Sequence, residues 1–145
     1  MKKVAVVYWS GTGNTEAMAT AVAEGAKAAG AEVTVMTSAT FTPDKVDEFD
    51  SIAFGCPSMG DEVLEETEFD PMFTECESKL SGKPIALFGS YGWGDGEWMR
   101  DWQARMAHAG ADVVGGEGVI AQESPDEDAL NQCRKLGKAL AAAEA

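Results

Sequence analysis

Six consecutive residues, Ser10-Gly11-Thr12-Gly13-Asn14-Thr15, combine two glycines with three hydroxyls and an amide. Glycine lets a backbone turn sharply and approach a ligand closely, and a helix beginning here would offer unpaired N–H groups at its positive dipole end. The chemistry this suits is an anion cradle, for phosphate above all. No lysine follows the second glycine, so it is not a Walker A loop. Glu16 stands where a dinucleotide fingerprint needs a third glycine, which removes that reading too. A cradle without a cation must hold its anion by dipoles and hydroxyls alone. The plainer alternative is an ordinary Gly/Ser/Thr turn with a helix cap.

Two further loops carry unusual chemistry. Gly55-Cys56-Pro57-Ser58-Met59-Gly60-Asp61-Glu62 is rich in turn formers and leads into an acidic stretch. Gly60 can take positive φ, so the peptide joining it to Asp61 could face either way at low cost. Met59 is flexible and polarizable, suited to an aromatic ring. Alone, this loop reads equally as a surface turn with a half-buried methionine. In Gly89-Ser90-Tyr91-Gly92-Trp93-Gly94-Asp95-Gly96, two aromatics lie among four glycines. Such glycines supply Trp93 with no packing, so a platform for a flat ligand explains it better than core duty. A lid over the end of a sheet is the alternative. Together the three loops describe a site for a flat aromatic ring bearing one phosphate.

Something must bring these loops together. Continuous apolar runs at Val4 to Trp9, Ile52 to Gly55, Ile85 to Phe88 and Val119 to Ala121 read as strands covered on both faces. Val33 to Thr37 alternates and reads as an edge strand. The last strand is expected from as early as Val113, bent or interrupted by Gly115, Gly116 and Gly118. Helices are expected over Asn14 to Ala29, with Met18, Val22, Gly25 and Ala29 on one face, and briefly from Thr42-Pro43. Others follow from Asp70-Pro71, with Met72, Phe73, Cys76 and Leu80 as its stripe, and over Glu97 to Ala109, burying Trp98, Met99, Trp102 and Met106. Ser124-Pro125-Asp126-Glu127 reads as a capping box before a helix whose Leu130, Cys133, Gly137 and Leu140 share a face. Strands alternating with helices predict an α/β fold, a doubly wound five-stranded parallel sheet with helices on both faces, in one domain over 1–145. Ligands of such sheets bind beyond the carboxyl ends of the strands, where the three loops fall.

Composition narrows the partners. The 145 residues hold 25 Asp and Glu against 11 Lys and Arg, a formal charge of −14. That argues against nucleic acid and anionic membrane, both of which need a basic face. Between Val46 and Ser78 there are 11 Asp and Glu and no Lys or Arg. Three cysteines without a C-x-x-C pair give no zinc site or disulfide framework. The N-terminal apolar run is too short for a signal peptide, no run approaches a membrane span, and the expected compartment is the cytoplasm.

On Tyr8-Trp9-Ser10-Gly11-Thr12-Gly13-Asn14-Thr15, Met59-Gly60-Asp61-Glu62 and Gly89-Ser90-Tyr91-Gly92-Trp93-Gly94-Asp95-Gly96, the chain resembles the short-chain flavodoxins of anaerobes such as clostridia. The resemblance runs nearly end to end. It implies a flavodoxin-like strand order 2-1-3-4-5 and a low-potential, monomeric one-electron carrier holding non-covalent flavin mononucleotide (FMN). Ser10, Thr12, Asn14 and Thr15, with Gly11 and Gly13 between them, would bind the phosphate. Met59 and Trp93 would sandwich the isoalloxazine ring. Gly60 and Asp61 would border its N5 edge, with the Gly60 carbonyl turning to accept a hydrogen acquired there. Glu62 would accept from N3–H. Backbone groups from Ser90, Tyr91, Gly92 and Gly94 to Asp95 would serve the pyrimidine end. Some relatives have a serine in place of Pro57, leaving open whether Ser58 contacts the phosphate. The implied partners are basic-faced redox proteins, the oxidoreductases and reductases that use ferredoxin or flavodoxin.

Rival readings meet specific obstacles. An NAD(P)H-dependent flavin or quinone reductase on the same fold needs room beside the ring for a second substrate. A receiver module needs acidic metal ligands where this chain has Trp9-Ser10. Hydrolase chemistry fails because Ser90 is not in G-x-S-x-G. His108 falls on a polar face with Glu97, Asp101 and Arg105, and reads as solvent-facing. Cys76 and Cys133 read as core, and nothing near Cys56 would activate it as a thiolate.

Overall fold

The computed structural model describes residues 2–143. Its elements run β1 (Lys3–Tyr8), α1 (Asn14–Ala28), β2 (Glu32–Thr37), a 3-10 helix (Pro43–Glu48), β3 (Ser51–Gly55), α2 (Phe69–Glu77), β4 (Pro84–Tyr91), α3 (Glu97–Ala109), β5 (Asp112–Val113), β6 (Val119–Gln122) and α4 (Glu127–Ala142). All strand pairs are parallel in the order β2-β1-β3-β4-β5, and β6 also pairs with β4. β5 and β6 are thus two halves of one interrupted edge strand, broken by the glycine-rich turn between them. Beyond that turn, the Gly118 N–H donates to Gln103 Oε1 at 2.8 Å.

The pleat sorts the strand residues between two cores. Ala5, Val7, Ile52, Phe54, Ile85 and Leu87 face Phe69, Phe73, Trp98, Trp102 and Met106 of α2 and α3. Val4, Val6, Ala53, Ala86 and Phe88 face Met18, Val22, Cys133 and Leu140 of α1 and α4. The expected helix faces are buried or partly buried, except that Ala29 is the exposed cap residue ending α1; Leu80 is buried but lies beyond the end of α2. Alanine and glycine let α1 and α4 touch backbone to backbone. A Cβ on Gly25 would lie 1.9 Å from the Arg134 carbonyl oxygen, and one on Gly137 would lie 2.0 Å from that of Val22.

Three boundaries differ from expectation. The cap of α4 is Asp126, whose Oδ1 accepts from Ala129 N at 2.8 Å, not Ser124. Pro125 holds Ser124 out of helical geometry. The Glu65 carboxylate, not the Asp70 side chain, receives the first N–H groups of α2. β4 also runs three residues further than Phe88, because Gly89, Ser90 and Tyr91 pair with Ile120, Ala121 and Gln122. Ser90 and Tyr91 therefore stand on a strand end, which fixes them better than a loop would. No helix among the described residues is long and apolar enough to cross a membrane.

Candidate functional site

β1 ends at Tyr8, and the chain turns through residues 10–13 into α1. Gly13 occupies the cap position at φ 93° without a side-chain cap of its own. Ser10 Oγ instead accepts from Gly13 N at 3.1 Å and Glu16 N at 3.3 Å. Among the described residues, the amides of Gly11, Thr12, Asn14 and Thr15 have no partner. Four free donors at a helix N-terminus are what an anion requires. Thr15 is buried, and its Oγ1 lies 2.8 Å from Ser90 Oγ, tying the cradle to the end of β4.

A cavity of about 250 Å³ opens beside this loop. It unites Gly11, Thr12 and Asn14 with Ser58 and Met59 after β3, and with Ser90, Tyr91 and Gly92 at the end of β4. Three segments far apart in sequence thus share one wall. Trp9, Pro57 and Glu123 also line it. Glu123 went unforeseen although it directly follows β6, at the carboxyl edge where ligands bind. It has φ 57°, and its N–H donates to the Tyr91 carbonyl at 2.7 Å.

Of the other expected residues, Ser10, Gly13, Thr15, Gly60, Asp61, Glu62, Trp93, Gly94 and Asp95 are not in this wall. Met59 and Val63 pair in a short antiparallel bridge, closing a hairpin over Gly60, Asp61 and Glu62. Gly60 has φ 52°. Its carbonyl and the Asp61 N–H make no hydrogen bond among the described residues, so the peptide between them is free to turn. Glu62 is only 9% exposed, and its Oε1 accepts from Glu97 N at 2.9 Å. Gly94 packs against that carboxylate. Asp95 turns its side chain outward to Arg100, at 2.8 Å. Met59 and Trp93 are 37% and 61% exposed, large apolar surface for loop residues.

Charge at the site is one-sided. Among the described residues, no Lys or Arg lines the cavity. Arg105 is engaged elsewhere, by Glu77 and Asp70 at 2.9 Å each and over the Phe73 ring. Cys56 lies fully buried behind the loop, and burial pushes its thiol well above the ordinary value. Burial likewise raises Cys76 to about 11 and Cys133 to about 12, leaving all three as inert thiols. His108 is exposed.

The geometry has relatives. The flavodoxin family model matches residues 6–137. The chain belongs to the flavodoxin family. It is 48% identical over 136 residues to a flavodoxin of Clostridium beijerinckii, covering 94% of this chain and 97% of that one. The solution structure of two-electron reduced Megasphaera elsdenii flavodoxin superposes with a TM-score of 0.86 at 46% identity, covering 97% and 99% of the two chains. A shorter match, 56% over 46 residues, covers 32% of this chain and 23% of an NAD(P)H dehydrogenase (quinone) of Rhizobium rhizogenes. Flavodoxins are electron carriers with a flavin cofactor that exchange electrons with redox proteins, and that is the function of this chain.

Proposed function

We propose that the flavin is non-covalent FMN, held by Ser10 to Thr15 at its phosphate and by Ser58 to Glu62 and Ser90 to Asp95 around its ring. The observation that carries this reading is the four unpartnered amides of residues 11–15, without a cation, opening on a cavity that Met59 and Tyr91 also line. A phosphate monoester fits the amides, and an aromatic body fits beside the methionine. Bound there, the flavin would supply one-electron chemistry. Met59 and Trp93, both exposed, would cover its two faces. The buried Glu62 has Oε2 free of other bonds among the described residues and would accept from a ring N–H. Ser58 follows Pro57 in the wall and would assist the phosphate.

The acidic stretch sets the direction of the potential. One carboxylate about 10 Å from an added negative charge costs roughly 1.7 kcal/mol at an effective dielectric near 20, or about 70 mV in a one-electron couple. Several such groups between Val46 and Ser78 would make the last electron hard to add and the carrier a low-potential one. The same field would attract redox partners through basic faces.

The test is titration of the flavin-free chain with FMN and with riboflavin, followed by stepwise reduction of the product. Tight FMN binding, weaker riboflavin binding and two resolved one-electron steps are expected. Equal affinity for FMN and riboflavin would remove the phosphate from the reading. Rapid NAD(P)H oxidation by the isolated protein would favour a reductase instead.

A further inference from the structure

A second and larger hollow, about 410 Å³, shares Trp9 and Gly11 with the first. Ser10 and Gly13 of the cradle also belong to its wall, and so do two carboxylates, Glu16 and Glu68. A ligand that ends in a phosphate monoester stops at the cradle. One that continues beyond its first phosphate, as a flavin dinucleotide does, needs a path onward, and the hollow sharing the cradle's residues supplies the space. Its charge is wrong for that use. Among the described residues it is lined by two carboxylates and by no Lys or Arg to meet a second phosphate.

Glu16 is not a loose surface group. It lies in the first turn of α1, its own N–H donates to Ser10 Oγ at 3.3 Å, and its Oε2 accepts from Tyr8 OH at 2.9 Å. The tyrosine bond holds the carboxylate at this hollow, whose wall Tyr8 shares. Glu68 arrives from the opposite direction in sequence, at the residue before α2. A phosphate in the cradle would therefore meet unpaired amides, and a group continuing from it into this hollow would meet negative charge.

We infer that Glu16 and Glu68 are specificity residues: they confine the cradle to a terminal phosphate monoester and turn away a dinucleotide that continues from it. The inference rests on the FMN reading and adds the residues that discriminate FMN from flavin adenine dinucleotide (FAD). Both side chains are exposed, so glutamine at either position leaves the packing unchanged, and it preserves an acceptor for Tyr8.

The experiment titrates the flavin-free full chain with FMN and FAD at low salt, for the wild type, Glu16→Gln, Glu68→Gln and the double variant. The wild type should prefer FMN. The double variant should narrow the FMN-to-FAD affinity ratio by roughly tenfold, mainly through tighter FAD binding, as two exposed charges about 6 Å from a phosphate would give in water. Salt near 0.5 M should narrow the wild-type ratio but barely move that of the double variant. A ratio unchanged in the double variant, or a wild type that takes FAD as readily as FMN, overturns the inference while leaving FMN binding intact. A chain that binds neither flavin overturns the FMN reading and this inference with it.

Discussion

The Glu62 carboxylate sits on the N-terminus of α3, its Oε1 2.9 Å from the Glu97 N–H. It links the hairpin after β3 to the loop after β4, the two segments that would enclose the ring. Gly94 makes the link possible: at φ 88°, a Cβ there would lie 2.5 Å from Glu62 Cδ.

Two substitutions separate the link from its charge. Glu62→Gln keeps an oxygen for Glu97 and removes the negative charge. Stability should stay within about 0.5 kcal/mol of wild type, while the potential for the last electron rises by roughly 70 mV. Gly94→Ala keeps the charge and adds a strained φ and a clash, so it should cost about 2 kcal/mol in chemical denaturation. If glutamine left the potential unmoved, Glu62 would lie too far from the ring to matter.

Gly60 combines φ 52° with a peptide that no hydrogen bond among the described residues restrains. A Cβ there would meet nothing within 4 Å, so alanine is opposed by backbone conformation alone. Gly60→Ala should disfavour positive φ by roughly 1 kcal/mol. The expected result, where the turned peptide keeps the positive φ, is a smaller maximum of the one-electron-reduced flavin during a spectrophotometric reductive titration. An undiminished maximum means that turning of this peptide does not accompany reduction.

Thr15 and Ser90 bring the cradle and the end of β4 together through a buried hydroxyl pair at 2.8 Å. Thr15→Val preserves shape and leaves Ser90 Oγ without that partner. A loss of about 1–2 kcal/mol in stability is expected. FMN affinity should fall more than riboflavin affinity, because the missing hydroxyl would serve only the phosphate. Equal losses for both flavins would assign Thr15 a purely structural part.

The legible features were those that local chemistry dictates. Gly25 and Gly137 were readable as members of helix faces from spacing, but the close backbone approach that leaves no room for a Cβ at either depends on how α1 crosses α4. Ser10 to Thr15 announced a cradle because the needed residue types are contiguous. Ser90 and Tyr91 looked like loop residues among glycines, and only pairing with Ala121 and Gln122 makes them strand. Glu123 carries no motif of its own. Its place in the cavity follows from the broken fifth strand, whose register no local pattern specifies.

Glu65 shows the same limit and supplies a pH test. This buried carboxylate accepts from the amides of Thr67, Glu68 and Phe69 at 2.9, 2.7 and 2.8 Å and from the Thr67 hydroxyl, capping α2 from four residues upstream. Burial alone would raise its pKa. The Thr67 hydroxyl and the three amides outweigh burial and hold the group below the usual carboxylate range. A folded-state pKa below the unfolded value, about 4.3, stabilises the protein fully above that value. The contribution is lost as pH falls through the folded-state pKa. Glu65→Gln places an amide N–H₂ among donors and should cost about 2 kcal/mol at pH 7. Denaturant titrations from pH 7 to pH 3 should find the gap between wild type and variant constant above about pH 5 and closing below it. A gap independent of pH would mean that the charge on Glu65 contributes nothing to the cap.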